Sequence, residues 1–120
     1  MLTVNELITK AGFDTANKTP PQDREIKSVY CCDLLSVVMG KAPADSAWVT
    51  VMGNVNVVAV CSLADTACVV VADGAEVDEN AVAKADEHGV FILRSGLPVF
   101  EAAKLADSLL QKAGGGAGGG

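Results

Sequence analysis

Polar residues follow three predicted strands of this chain at the points where those strands end. Cys32-Asp33 comes after the first strand, residues 53–56 come after the second, and Ser95-Gly96 comes after the fourth. The carboxyl ends of parallel strands share one edge of a sheet, and ligands bind beyond that edge close to helix N-termini. The sequence therefore predicts a ligand site at the carboxyl edge of the sheet.

Gly53, Asn54 and Asn56 supply the binding chemistry expected at this edge. Gly53 permits the close approach of a backbone, and the free N–H groups of residues 54–56 could hold an anion or a carbonyl group. Asn54 and Asp33 have an alternative role, in which each side chain only caps the helix that follows it. The sequence leaves both roles open.

Motifs for nucleotide chemistry are incomplete. Gly40-Lys41 is similar to the end of a phosphate-binding loop, but Leu35 occupies the position of its first glycine and Ala42 that of its Ser/Thr. The C-terminal glycine run matches the spacing GxGxxG, yet no predicted strand precedes it and no helix follows. We therefore expect no phosphoryl-transfer site.

Catalytic groups are scarce, because the chain has one histidine, His88, on which any Ser-His or Cys-His arrangement would depend. His88 is predicted in the last turn of a helix, where an imidazolium interacts favourably with the helix dipole. The carboxylate pairs Asp78/Glu79 and Asp86/Glu87 lie near the ends of the same helix, where they indicate surface charge rather than a general acid and base. These patterns predict a protein that is not an enzyme.

The four cysteines, Cys31, Cys32, Cys61 and Cys68, form no CxxC pair. Cys31 and Cys32 are neighbours in a predicted strand and point to opposite faces, so they cannot readily bind one metal ion. We interpret the four as small buried hydrophobic residues and expect no metal site. A redox role for Cys31 or Cys32 is the alternative.

Composition restricts the class of protein. The 120 residues are 50% apolar, 20% charged and 4% aromatic, with a net charge of -6. This acidic balance argues against nucleic acid or an anionic membrane as the main partner, and no window approaches the roughly 18 uncharged apolar residues that span a bilayer.

The N-terminal residues do not match a signal peptide, so we expect a cytoplasmic protein in which the sequon at Asn17 has no role. The apolar excess favours a homo-oligomer, with a dimer as the expected form.

The first predicted element is a helix with clear signals at both ends. Thr3 and Glu6 form a capping box, Leu2 and Leu7 lie where a hydrophobic staple would join them, and Gly12 ends the helix.

The rest of the chain alternates predicted strands with helices. The strands cover residues 26–32, 47–51, 68–72 and 90–93, the helices cover residues 34–39, 55–63, 78–88 and 99–110, and a polar loop covers residues 14–23. Asp33 and Asp78 are the expected N-caps of two helices, which Gly40 and Gly89 are expected to end. The alternation predicts one three-layer α/β domain over residues 1–112, with a mainly parallel sheet of about four strands and helices on both faces. A flexible Gly-rich tail is expected over residues 113–120.

A likeness to a known family begins at Asp23-Arg24 and extends over nearly the whole ordered chain. It runs through the segments Tyr30-Cys31-Cys32-Asp33-Leu34-Leu35-Ser36, Ala47-Trp48-Val49-Thr50, residues 56–63 and Phe100-Glu101. On these residues the chain resembles the DRTGG domain family, whose members carry Asp-Arg, a short spacer, a Gly pair and Tyr-x-x-Asp-Leu-Leu-Ser. Ser28-Val29 departs from the pattern, because it stands where the family has its two glycines.

The resemblance implies a regulatory-type domain similar to the N-terminal region of HPr kinase/phosphorylase. Related domains accompany CBS pairs and phosphotransacetylase, and stand-alone members are linked with hydrogenase or electron-transfer systems, which implies a protein partner. Asp23 and Arg24 would either contact a ligand or anchor their loop through an ion pair and backbone hydrogen bonds. If the family glycines permit close approach of a backbone, their loss at Ser28-Val29 argues against a ligand contact there. If they serve only the entry into the strand, the fold is unaffected.

The sequence thus predicts a non-catalytic regulatory or ligand-sensing module without a cofactor. It would bind a small metabolite or nucleotide, or a partner protein, at the carboxyl edge of the sheet. The alternatives are a scaffold subunit of a hydrogenase or electron-transfer system and a small-molecule enzyme. The candidate ligand-binding residues are Asp23, Arg24, Tyr30, Asp33, Gly53, Asn54, Asn56 and Ser95.

Overall fold

Helices and short strands alternate along the computed structural model, which describes residues 1–114. The helices are α1 (Val4–Ala11), α2 (Leu35–Lys41), α3 (Val55–Ala64), α4 (Glu79–His88) and α5 (Val99–Lys112). The strands are β1 (Leu2–Thr3), β2 (Asp14–Thr15), β3 (Glu25–Ile26), β4 (Ser28–Cys31), β5 (Ser46–Thr50), β6 (Cys68–Val71) and β7 (Ile92–Arg94).

Five of the strands form one sheet in the order β2-β7-β6-β5-β4. Strands β4 to β7 are parallel, and β2 pairs antiparallel with β7 at the edge. β1 and β3 form a separate antiparallel pair. The predicted α/β fold with a mainly parallel sheet is confirmed.

Helices cover both faces of the sheet, as predicted. β4 to β7 lie side by side in sequence order, and right-handed crossovers place α2, α3 and α4 together on one face. Side chains alternate along the strands accordingly: Ala47 and Val49 belong to the core under α1 and α5, whereas Trp48 belongs to the core under α2, α3 and α4. The sheet is therefore buried on both sides, which explains its Val-rich strands.

The N-terminal region confirms one local prediction and corrects two others. Thr3 Oγ1 accepts a hydrogen bond from the Glu6 N–H at 3.3 Å, and Gly12 ends α1 with a φ of 75°. The predicted loop over residues 14–23 contains β2, however, and the predicted strand over residues 26–32 is divided between two sheets. Ile26 pairs with Leu2, while β4 pairs with β5. Two-residue strands have no periodicity that a sequence could reveal.

Two helix boundaries differ from the prediction. The N-cap position of α2 is Leu34 rather than Asp33, and Gly40 lies inside α2 rather than at its end. Asp78 occupies the N-cap position of α4, but its side chain makes no capping hydrogen bond. Gly89 ends α4 with a φ of 69°, as expected. The carboxylate of Asp33 is unavailable to α2 because it bonds to the neighbouring strand, as described below.

The described residues include the start of the predicted tail. α5 ends at Lys112, and residues 115–120 of the tail predicted over 113–120 lie outside the described part. Within residues 1–114, no helix is both long enough and apolar enough to cross a membrane.

Candidate functional site

Asp33 lies at the predicted carboxyl edge and bonds to the next strand. Its Oδ1 accepts hydrogen bonds from the Thr50 hydroxyl at 2.6 Å and from the Val51 N–H at 3.1 Å. The indole N–H of Trp48 donates to the carbonyl oxygen of Cys32 at 2.9 Å, just before Asp33. These bonds join the segments that follow β4 and β5, and they occupy Oδ1 of the carboxylate.

The backbone around Gly53 and Asn54 is also bonded within the chain. Asn54 Oδ1 accepts hydrogen bonds from the N–H groups of Asn56 at 3.0 Å and Val57 at 3.2 Å, so Asn54 caps α3. The capping role therefore holds for Asn54. The N–H of Asn56, expected to be free for an anion or carbonyl, is already paired.

Gly53 permits close backbone approach, as expected, but the approaching backbone belongs to this chain. A Cβ at Gly53 would overlap the carbonyl oxygen of Glu76 and press against Val77. The Gly53 carbonyl also accepts a hydrogen bond from the Asp78 N–H at 2.9 Å. The segment that leads into α4 thus fills the space beside the glycine.

Ser95 is buried at the start of the turn after β7, at the same edge. Its hydroxyl accepts a hydrogen bond from the Leu97 N–H at 3.1 Å, and its own N–H donates to Val71 at 2.9 Å. Asp33, Gly53, Asn54 and Ser95 therefore share one edge of the sheet, as expected. Their polar groups make the internal bonds that hold the edge together.

Exposed apolar side chains lie on the same segments as these internally bonded groups or close to them in sequence. Leu34 is 65% exposed after β4, Val51 is 37% exposed after β5, and Leu97 is 39% exposed after β7. Phe100, 69% exposed, lies in the first turn of α5, which begins at the same edge. We call Leu34, Val51, Leu97 and Phe100 the edge patch. Sequence periodicity did not single out these residues, because each lies just outside a strand or on the outer side of a helix.

The segments that follow β6 and β7 turn to opposite faces of the sheet at this edge. α2, α3 and α4 lie on one face, whereas α5, which follows β7, packs on the other. Ligands of open α/β sheets bind where adjacent connections turn to opposite faces. An open groove of about 580 Å³ lies beside these segments, lined by residues 76–80 and Arg94.

Asp23 and Arg24 lie at the opposite, amino edge of the sheet, near the start of α1. Asp23 Oδ1 accepts hydrogen bonds from the N–H groups of Asn5 and Arg24, both at 2.9 Å. The Arg24 carbonyl accepts another from the Val4 N–H at 2.9 Å. Asp23 and Arg24 thus supply acceptors for N–H groups in the first turn of α1. Of the two expected roles, ligand contact and loop anchor, these bonds support the anchor.

The Arg24 guanidinium binds two aspartates that the sequence analysis did not single out. Its Nη2 lies 2.7 Å from Asp45 Oδ1 and 2.9 Å from Asp65 Oδ1. Burial disfavours the charged form of Arg24, but the bonds to the two carboxylates outweigh this and raise its pKa. The hydrogen bond from Arg24 lowers the pKa of Asp45 from its ordinary value. Both aspartates have left-handed backbones, with φ of 62° and 58°, so turn signals at Asp45 and Asp65 could have indicated them.

A small cavity of about 120 Å³ lies beside Arg24 at the amino edge. Its polar lining includes Gln22, Ser62, Thr66 and His88. β5 contains five residues at about 3.3 Å each, so this cavity lies roughly 13 Å or more from the carboxyl edge. The structure therefore places the candidate residues at two ends of the sheet rather than in one site.

Tyr30 belongs to neither edge. It lies in β4, half-buried, and packs against the core under α2, α3 and α4. Partial burial raises its pKa, and the neighbouring Cys32 thiol adds to the shift. Tyr30 therefore contributes to the core on this face of the sheet.

The thiols and the histidine occupy separate surroundings. Burial raises the pKa of Cys61 to about 11 and also raises the pKa of Cys68. Cys31 is exposed and Cys32 is half-buried, so the interpretation of all four cysteines as buried is wrong for these two. Partial desolvation raises the pKa of Cys31. His88 lies in the last turn of α4, with its Nε2 4.0 Å from Glu87 Oε1. Within residues 1–114, no group of three or more His, Cys, Asp or Glu side chains is placed to hold a metal ion.

Neither a family model nor a curated protein matches the chain. The resemblance to the DRTGG family thus rests on the residues quoted above and forms part of the proposal that follows. The contacts of the two sheet edges provide the other support.

Proposed function

We propose that this chain is a non-catalytic regulatory module that binds a partner protein at the carboxyl edge of its sheet. The observation that carries the proposal is the edge patch. Its four side chains are apolar and solvent-exposed, while the polar groups of Asp33, Asn54 and Ser95 bond within the chain. Exposed apolar side chains that project from several segments onto one surface are a feature of protein interaction sites.

A protein partner suits this edge better than a metabolite or nucleotide. A small ligand needs a concave site of about 300–1,000 Å³ with a few unpaired polar groups that fix its orientation. Asp33 Oδ1 and Asn54 Oδ1 at the carboxyl edge already accept internal hydrogen bonds. The open groove beside Arg94 is lined by Glu76, Asp78 and Glu79, whose carboxylates repel the phosphates of a nucleotide. The exposed apolar side chains of the edge patch fit a second protein surface instead.

A small polar ligand at the amino edge is the second candidate, and the cavity beside Arg24 favours it. Its volume of about 120 Å³ is too small for a nucleotide and suits a molecule of a few atoms. The positive charge of Arg24 is already balanced by Asp45 and Asp65, so the cavity gains little attraction for an anion. This candidate is therefore weaker than the protein partner.

The resemblance to the DRTGG family supports a regulatory role, and a cytoplasmic location and a homodimer belong to the same proposal. A scaffold subunit of a hydrogenase or electron-transfer system would use the same edge patch with a redox protein as partner. The absence of a catalytic role is proposed from the chemistry of the described side chains. Cys61 and Cys68 are buried with raised pKa values, and His88 is exposed beside a glutamate at a helix end.

Affinity capture from an extract of the cells that contain this chain tests the proposal. The wild-type chain should retain a partner, and Phe100→Glu should lose it, because the variant replaces the apolar ring with a charged side chain that binding would have to desolvate. Leu63→Glu is the matched control, since Leu63 is equally exposed but lies on α3 outside the edge patch. Retention of the same partner by Phe100→Glu, or the absence of any partner, would contradict the proposal.

A thermal-shift screen against nucleotides, acyl phosphates and common metabolites tests the second candidate. A ligand at about 100 times its Kd adds roughly 2.7 kcal/mol of stability, which raises Tm by several degrees in a domain of this size. We expect no shift. A reproducible shift that is lost in Ser62→Ala or Thr66→Val would instead favour a ligand sensor at the amino edge.

A further inference from the structure

Helix α3 carries apolar residues on every side and is nevertheless exposed along one face. Its ten residues, VNVVAVCSLA, include no charged side chain, and its hydrophobic residues are spread around the whole helix. Such a helix is normally buried on all sides. In the isolated chain Val55, Ala59 and Leu63 are exposed, and Leu63 reaches 73%.

The exposed residues form a continuous stripe beside a groove. Val55, Ala59 and Leu63 follow one another at intervals of four and therefore lie on the same side of α3. A groove of about 390 Å³ runs between this stripe and α4, and its lining includes polar side chains of both helices: Asn56, Ser62, Lys84 and His88. Leu63 thus projects from the surface and also forms part of the groove wall. The same surface therefore carries a projecting side chain and a groove that can receive one.

We propose that a second copy of this chain covers the stripe, with the two α3 helices packed antiparallel across a twofold axis at Ala59. A twofold axis makes an interface self-complementary, so each copy supplies the same knob and the same groove. Val55 and Leu63 lie four residues on either side of Ala59, and the axis therefore brings Leu63 of one copy opposite Val55 of the other. The small side chain of Ala59 at the centre allows the two helices to approach closely.

Contact with a second copy costs less electrostatically at this surface than at the other faces of the chain. The chain carries a net charge of -6, so two copies repel each other wherever their acidic surfaces meet. The exposed positions of α4 include Glu79, Lys84 and Glu87, and those of α5 include Glu101, Lys104 and Asp107. α3 has no charge to desolvate, and an antiparallel arrangement places the N-terminus of each helix beside the C-terminus of the other.

The helices on either side of α3 extend the surface around the stripe. α2 packs beside α3 and exposes Met39, which extends the apolar surface on one side. Lys84 and Glu87 on α4 give the other side a polar rim of both signs, as protein interfaces commonly have.

The mass of the full chain in solution tests the proposal. Light scattering or sedimentation equilibrium should give about twice the 12.2 kDa of the chain for the wild type. Leu63→Glu should give a monomer, and Phe100→Glu, which alters an equally exposed side chain on α5, should remain dimeric. Circular dichroism of each variant shows whether its fold is retained. A monomeric wild type, or a folded Leu63→Glu variant that is as dimeric as the wild type, would overturn the proposal.

A cross-link at the proposed axis tests its geometry. In a Cys31→Ser/Cys32→Ser background, Ala59→Cys places a thiol on the twofold axis, where it faces its own copy and can form a disulfide on mild oxidation. Ser108→Cys on the exposed side of α5 is the control. Rapid cross-linking at position 59 alone supports the proposal, whereas faster cross-linking at position 108 contradicts it. Because Phe100→Glu tests the edge patch and Leu63→Glu tests α3, loss of the partner and loss of the dimer are distinguishable.

Discussion

Asp33 Oδ1 accepts the hydroxyl hydrogen of Thr50 at 2.6 Å, which joins the carboxyl ends of two adjacent parallel strands. The same oxygen accepts the Val51 N–H at 3.1 Å. The carboxylate thus holds the segments that carry Leu34 and Val51, two side chains of the edge patch. A residue whose position suggests a helix cap or a ligand contact therefore shapes the proposed interaction surface.

Removal of this bond should destabilise the edge. We expect Asp33→Ala to lower the free energy of unfolding by about 1–2 kcal/mol, because it leaves the buried Thr50 hydroxyl without its acceptor. Urea unfolding measures this change. Asp107→Ala, an exposed aspartate on α5, should change stability by less than about 0.5 kcal/mol. A double-mutant cycle with Thr50→Val should show coupling between the two side chains, and zero coupling would refute the link.

Asn17 should be essential for stability, although it resembles a glycosylation site in sequence. Its buried amide donates to Asp86 Oδ1 and to the Val90 carbonyl, both at 2.9 Å, and accepts the Ile92 N–H at 2.8 Å. Asn17→Ala leaves buried backbone groups unpaired, so we expect a loss of about 3 kcal/mol in urea unfolding.

The sequon itself provides the control for Asn17. Thr19→Ala removes the sequon but leaves these bonds intact, because Thr19 is exposed. Its stability should stay within about 0.5 kcal/mol of the wild type. Equal losses in Asn17→Ala and Thr19→Ala would contradict the assignment of stability to the Asn17 amide.

Two glycines should respond in opposite directions to the same substitution. Gly53→Ala places a Cβ against the backbone of Glu76 and should destabilise the chain by about 1–3 kcal/mol. Gly40→Ala adds a Cβ in open space inside α2 and should stabilise it by about 0.5–1 kcal/mol, because alanine has the higher helix propensity. Thermal unfolding of both variants gives the comparison. Similar effects at the two positions would show that the Glu76 segment does not pack against Gly53 in solution.

The free energy of unfolding should fall at acidic pH, partly because Asp45 becomes protonated. The bond from Arg24 lowers the folded-state pKa of Asp45 below its ordinary value, so the folded state binds this proton less readily than the unfolded state. The stabilising contribution is fully present above the unfolded pKa of about 3.9 and is lost as the pH falls through the lower folded value. Asp45→Asn should therefore show a shallower loss of stability below about pH 4 in urea titrations. An unchanged acid slope in this variant would show that the pair with Arg24 adds nothing.

The sequence by itself determined the elements whose signals lie within one turn. The Thr3–Glu6 capping box, the Asn54 cap, the left-handed Gly12 and Gly89, and the alternation of Val-rich segments predicted α1, α3, α4 and the parallel sheet. These features depend on bonds between residues at most five apart, or on side-chain periodicity. Both can be read along the chain without knowledge of the partners in space.

Only the tertiary structure decided where the polar side chains and exposed apolar surfaces lie. Asp33 finds its hydrogen-bond donor, Thr50, 17 residues away, Arg24 bonds to aspartates 21 and 41 residues away, and Asn17 binds groups 69 to 75 residues away. Whether Leu63 or Phe100 is covered depends on how helices pack on the sheet, which no local pattern specifies. A hydrogen bond or an apolar contact acts over a few ångströms of space whatever the separation along the chain, so its partner is fixed only when strand register and helix packing are fixed.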